Sequence, residues 1–145
     1  MKQKLGRIAA GAMTSAGALV LVSCATNAEI PATFAATVTV TGEADEVSAD
    51  SGVCTVGSTR LAPNDEVGLY GESAGASTKS ALEVESIDQN SDGTGVCTYR
   101  AHFNDVPESQ RGYQLLVGGD FVERPFTVNE LKRGVTHVVQ NSAPQ

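Results

Sequence analysis

Val96 to Phe103 alternates without a break. Cys97, Tyr99, Ala101 and Phe103 fall on one side, and Thr98, Arg100 and His102 on the other. A period of two belongs to a β-strand with one face in a core and one in solvent. The same pattern recurs along the chain. Val38 and Val40 oppose Thr37, Thr39 and Thr41 within Phe34 to Thr41, and Val67 and Leu69 share a face of Glu66 to Gly71. Thr78 to Ile87 reads as one amphipathic strand, with Leu82 and Val84 inward and Glu83 and Glu85 outward. Tyr113, Leu115 and Val117 share another face, Val135 to Gln140 reads as a last strand, and a short strand is expected near Phe121 to Val128. Only Val128 to Arg133 carries a helical turn. Turn residues fill the gaps: Ala62-Pro63-Asn64-Asp65, Asn90 through Gly95, and Pro107 through Gly112. The expectation is an all-β fold, a single antiparallel β-sandwich of about seven strands.

The first two dozen residues have a different character. Lys2, Lys4 and Arg7 precede an apolar and small-residue run, Ile8 to Val22, which closes on Leu21-Val22-Ser23-Cys24. That layout is a lipoprotein signal: a positive segment, an apolar segment, and a small residue just before a cysteine that would take a diacylglyceryl group. The apolar run is short of the roughly 20 residues that cross a hydrocarbon core. An ordinary secretory signal cut elsewhere, near Ala28, is the rival reading. On the lipoprotein reading residues 1–23 are removed and lipidated Cys24 begins the mature chain. Ala25 to Ala36 then serves as a tether interrupted by Pro31, residues 37–140 form the sandwich, and residues 141–145 form a frayed tail. The protein is expected to be exported and anchored to the cell membrane, facing away from the cytoplasm.

The chain has three cysteines, which leaves an odd thiol in an exported protein. Setting Cys24 aside as the lipidated residue leaves Cys54 and Cys97, and an oxidising compartment favours their pairing. Two buried free thiols are the alternative. Removing residues 1–23 from the 145 leaves 122, enough for one domain, and takes the net charge from −7 to −10 because the signal carries Lys2, Lys4 and Arg7 and no acid. Such an acidic surface repels nucleic acid and anionic lipid heads, so nucleic acid is not an expected partner. With no Trp, four Phe and three Tyr, the core must come mainly from Val, Leu, Ile and Ala.

Several short motifs keep a fixed order: Cys54, Leu61 six residues before Val67, Cys97-Thr98-Tyr99, Asp105-Val106-Pro107, Tyr113, Gly118-Gly119, Phe126-Thr127 and Glu130-Leu131. In this order the chain resembles a family of small actinobacterial envelope lipoproteins and secreted proteins of unassigned function, over roughly residues 34 to 133. That family has Gly and Asp around the turn where Arg60 and Asn64 stand here, so no role for its Asp carries over. Asn tolerates the left-handed conformation such a turn needs. The stretch from Val106-Pro107 to Tyr113-Gln114-Leu115 also resembles transthyretin-like and carboxypeptidase-regulatory sandwiches, which are seven-stranded and mostly non-catalytic. The resemblance implies that Pro107 starts a turn and that Tyr113 plugs the end of the sandwich with a buried hydroxyl bond, like a tyrosine corner.

Reactive constellations are scarce. His102 and His137 sit on strands with no carboxylate or cysteine at ligand spacing. No serine lies in a nucleophile elbow or a Ser-x-x-Lys motif, and Ser77 is too near Lys79 along a strand to use it as a base. Gly71-Glu72-Ser73-Ala74-Gly75 reads as a hairpin loop, lacking the helix and Lys of a phosphate cradle. Asp88-Gln89-Asn90-Ser91-Asp92-Gly93 matches the opening of a calcium loop, with Asp88, Asn90 and Asp92 as ligands, but Tyr99 stands where the bidentate Glu should be. Asn, Asp and Gly are also ordinary turn residues. The reading is a membrane-anchored, non-enzymatic module without a cofactor, binding an envelope protein or polysaccharide through Glu43-Ala44-Asp45-Glu46 or the Gln89 to Gly95 loop. The alternatives are a carrier of a small lipid or metal ion, which needs a large apolar cavity, and an enzyme or inhibitor acting through an exposed loop.

Overall fold

A computed structural model of the chain describes residues 32–72, 77–109 and 111–141. Residues 1–23, Cys24, the tether as far as residue 31 and the tail residues 142–145 lie outside them. The alternation that begins near Phe34 produces β1 (Thr33–Ala44), in which Phe34, Ala36, Val38, Val40 and Ala44 are buried. This strand corrects the expected boundary at residue 36. Burial of Phe34 against the Tyr113 ring, edge-on at 5.8 Å between centroids, ties the stretch from Thr33 into the domain.

A small antiparallel sheet follows: β2 (Glu46–Ser48), β3 (Val53–Val56) and β4 (Thr59–Leu61). Next come β5 (Glu66–Gly71), β6 (Ser77–Ala81), β7 (Glu83–Gln89) and β8 (Gly95–Pro107). The chain ends with β9 (Tyr113–Val117), β10 (Asp120–Phe121), α1 (Val128–Arg133) and β11 (Val135–Val139). The strands form two four-stranded sheets, ordered β11-β1-β8-β7 and β10-β9-β5-β6, beside the three-stranded one. The fold is all-β, and no sheet among the described residues closes into a barrel.

Two expectations change. The pairing is not purely antiparallel, because β11 runs parallel to β1, from Val38 opposite Val135 to Gly42 opposite Val139. Helix α1 carries the chain back, so that β11 starts alongside the middle of β1. Thr78 to Ile87 is also not one strand. It breaks at buried Leu82, placing β6 in one sheet and β7 in the other. The Leu82 N–H donates to the Asp65 carbonyl at 2.9 Å and its own carbonyl accepts from Asn64 at 2.8 Å, so the crossover loses no backbone bond. Asn64 makes this turn at a φ of 69°, in the left-handed region. Val84, expected inward, lies at the edge beside Tyr99 and stays 43% exposed.

The inward residues of all three sheets, with Leu131 of α1, form one core. Val, Leu and Ala are numerous in it, yet the largest fully buried side chains are Tyr99, Tyr113 and Phe103. Each tyrosine spends its hydroxyl on backbone. Tyr113 Oη accepts from the Ser109 N–H at 2.7 Å and donates to the Pro107 carbonyl, the corner-like arrangement that the resemblance implied. Tyr99 Oη donates to the Gly52 carbonyl at 2.6 Å and lies 3.2 Å from the Leu61 carbonyl. Gly52 has a φ of +72°, and a Cβ there would stand 2.9 Å from both Pro63 Cγ and Val84 Cγ2, so the turn over Tyr99 requires glycine. Cys54 on β3 and Cys97 on β8 are joined in a disulfide, with their Cα atoms 6.5 Å apart and both residues fully buried.

Helix α1 is one and a half turns long and depends on its cap. Thr127 Oγ1 accepts from the Glu130 N–H at 3.2 Å, and Glu130 Oε2 accepts from the Thr127 N–H at 2.8 Å, a complete capping box. Thr127→Ala is expected to cost about 1 kcal/mol, read as a lowered urea midpoint at constant m-value. The Thr127 N–H and then the Arg124 guanidinium hold the Glu130 carboxyl down from 4.5 to about 2. A depressed carboxyl stabilises the fold fully above its unfolded value and loses that contribution as pH falls from 4.5 through about 2. Glu130→Gln should therefore flatten the acid limb of the stability curve in that window.

Candidate functional site

β1 is the second strand of its sheet, and its last residues run past the end of β11 while still pairing with β8 as far as Ala44 opposite Gly95. The overhang leaves a trough. Its floor is Glu43 to Asp45, one wall is the β7–β8 hairpin with Asn90 and Val96, and the other is the end of β11 with Val138 and the segment leaving it with Asn141. The result is an open groove of about 650 Å³. The two segments singled out from the sequence, Glu43 to Glu46 and Gln89 to Gly95, thus meet at one end of one sheet.

Register sets what faces outward there. Glu43 is opposite Val96, and Val96 is opposite Asp88, so a carboxylate, a valine and a carboxylate stand side by side on three adjacent strands. One row further in, Val138 is opposite Thr41, whose hydroxyl lies 3.1 Å from that of Thr98 and donates to the Cys97 carbonyl at 3.0 Å. Val96 and Val138 are 42% and 53% exposed, two of the few large apolar side chains left open to solvent. No lysine or arginine is among the described residues that line the groove. The nearest cation on this face of β8 is Arg100, and Glu85 already pairs with it.

The groove has a built rim. Asp45 Oδ2 accepts from the Gly57 N–H at 2.7 Å, and both its carboxylate oxygens accept from Asn141 Nδ2 at 3.0 Å. This triple contact fastens the chain after β11 to the turn between β3 and β4. Gln140 and Asn141 therefore belong to the domain, which corrects the frayed tail expected at Asn141. Asp45 is a structural anion here; Glu43 in the lining and Asp88 just beside it, opposite Val96, have no ion-pair partner among the described residues.

The other candidates do not assemble a reactive site. In the calcium-like segment Asp92 Oδ1 accepts from the Thr94 N–H at 3.1 Å and from its hydroxyl at 2.6 Å, while Asn90 Nδ2 donates to Thr94 Oγ1 at 3.0 Å. These contacts lower the Asp92 pKa. They turn the hairpin inward on itself, whereas Asp88 stays in the strand ladder opposite Val96. No three His, Cys, Asp or Glu side chains gather to hold a metal among the described residues. His102 is exposed, with Nδ1 3.2 Å from Thr37 Oγ1. His137 is half-buried opposite Val40, and that burial lowers its pKa. Lys79 pairs with Glu66 at 2.8 Å across β5 and β6, which raises its pKa and takes it from any partnership with Ser77. Residues 73–75 of the Gly71 to Gly75 loop lie outside the described residues.

Sequence reasoning missed the wall formed by the end of β11. Val138-Val139 breaks the alternation of β11, because two adjacent apolar residues cannot both face the core, and that misfit was the available signal. Comparisons with protein-family models, with curated proteins and with solved structures found no match. What the fold and the site define is a disulfide-linked all-β domain with an open, acidic and partly apolar groove at the end of a sheet.

Proposed function

We propose that the protein is a lipid-anchored, non-catalytic module of the cell envelope that binds an envelope protein or polysaccharide through this groove. Its two main sheets then correspond to an Ig-like or transthyretin-like sandwich, and its motif order to the actinobacterial lipoprotein family it resembles. The anchor is Cys24, reached after cleavage behind Ser23. The observation that carries the reading is the groove itself: Val96 and Val138 left in solvent beside the Glu43 and Asp88 carboxylates, neither of which has an ion-pair partner among the described residues. Solvent-exposed apolar side chains grouped at a concave site are a usual mark of a binding surface.

The geometry suits an anchored binder. The chain enters the domain at Thr33 and reaches the groove at Glu43, ten residues further along one strand, a span of about 34 Å at about 3.4 Å per residue. The groove therefore lies at the end of β1 opposite the one where the chain enters the domain. No helix among the described residues is long and apolar enough to cross a membrane.

Two measurements test it. Intact mass spectrometry of protein extracted from its own membranes should show an acylated chain starting at Cys24, and Cys24→Ser should move the protein from the detergent phase to the aqueous phase. Unchanged partitioning of that variant rejects the anchor. Val138→Asp should abolish retention on isolated envelope material while leaving the melting temperature unchanged; full retention rejects the groove.

A further inference from the structure

We infer that the groove takes an extended cationic segment, a stretch of partner polypeptide carrying lysine or arginine at alternate positions. The inference rests on the binding reading above and adds the chemistry of what binds. Charge complementarity decides the occupant. Glu43 and Asp88 flank Val96 on the two neighbouring strands, and neither has an ion-pair partner among the described residues. Asp45 adds a third negative charge at the rim, and no lysine or arginine is among the described residues that line the site. Strands lie about 4.8 Å apart, which separates the Glu43 and Asp88 backbones by about 10 Å.

An extended guest repeats its side-chain direction every second residue, about 7 Å. Two cations at such positions reach both carboxylates, because lysine and arginine carry their charge on flexible stems. Those stems are apolar, and the surface offers apolar contacts as well: Val96 lies between the two carboxylates, and Val138 lies on β11, one strand beyond Glu43 in the next row. Long cationic side chains cover exposed valines while keeping their charge toward carboxylate and water. An anionic polymer meets only repulsion here. A neutral glycan finds no aromatic ring among the residues that line the groove.

The test uses the domain with its disulfide intact and two synthetic peptides, an alternating lysine–threonine hexamer and its glutamate–threonine counterpart. Calorimetric or fluorescence titration should show binding of the lysine peptide only. The affinity should fall steeply in about 1 M salt, where the screening length shrinks to about 3 Å. Glu43→Gln and Asp88→Asn should each weaken it about two- to fivefold, the scale of one exposed ion pair. Val96→Lys should weaken it more than about tenfold by setting a like charge between the carboxylates. Glu123→Gln removes the same charge from an exposed position outside the groove lining and should change nothing.

All four positions are exposed, and matching melting curves confirm that the variants fold. Equal binding of both peptides, no binding of either, or an equal effect of Glu123→Gln and Glu43→Gln overturns the inference. If a neutral glycan binds and Val96→Lys abolishes it, the cationic chemistry is wrong while the groove remains the binding surface. If neither peptide nor envelope material is affected by any groove variant, both readings fail together.

Discussion

Reducing the Cys54–Cys97 bridge, or replacing both cysteines by serine, is expected to lower the unfolding free energy by about 2–5 kcal/mol. The bridge closes a loop of 43 residues, which on the chain-entropy model contributes roughly 4 kcal/mol by constraining the unfolded state. Its placement adds to this. Cys54 is the buried centre of the three-stranded sheet and Cys97 is one of the inward residues of β8, so the link fastens the smallest sheet to one of the longest strands. The small sheet otherwise holds through Val47, Val56 and Leu61 in the core, the Asp45 contacts, and the Val47 N–H bond to the Gly93 carbonyl at 2.9 Å. Urea unfolding with and without reductant measures the difference. Hydrogen exchange should show amides of residues 46–61 losing protection first. A shift below about 0.5 kcal/mol would mean that packing alone holds this sheet.

Tyr99→Phe is expected to cost about 1–3 kcal/mol, although it removes a single oxygen. The hydroxyl is fully buried and is the partner of the Gly52 carbonyl and a neighbour of the Leu61 carbonyl. Phenylalanine keeps the ring contacts and strands those acceptors. Burial, and then the nearby Asp65 carboxylate, push this phenol up from 10 to about 12. In the unfolded chain it ionises near 10, so stability is whole below that pH and is lost as pH rises through about 12. Tyrosinate absorbance should therefore appear from Tyr99 only with unfolding, and Tyr99→Phe should flatten the alkaline limb of stability. Ionisation of all three tyrosines in a still-folded protein would contradict this placement.

Alternation carried most of the fold. The strands around Val38, Val67, Tyr99, Leu115 and Val135 formed where their apolar phase put them, and Val128 to Arg133 formed the helix. What alternation does not encode is direction and partner. Nothing in Val135 to Val139 says that it pairs parallel with β1, and the phase of Thr78 to Ile87 runs unbroken through the residue where the chain changes sheets. The three-stranded sheet was illegible for another reason. Its strands are three or four residues long, around Ala49-Asp50-Ser51-Gly52, and such short runs give no period. The floor and one wall of the groove were readable as acidic and turn-rich segments. Their meeting was not, because it depends on how far β1 overhangs β11. The Tyr99 hydroxyl was equally hidden, since a period shows which way a ring points but not which carbonyl waits at its tip.

The most direct test of groove binding is methyl NMR of the bridged domain as solubilised envelope protein and polysaccharide are added in turn. The expected result is a set of shift changes confined to Val96 and Val138, with amide changes at Glu43, Asn90 and Asn141 and none at Leu116. Changes centred instead on the opposite sheet, around Leu116 and the Tyr70–Phe121 ring pair, would contradict it.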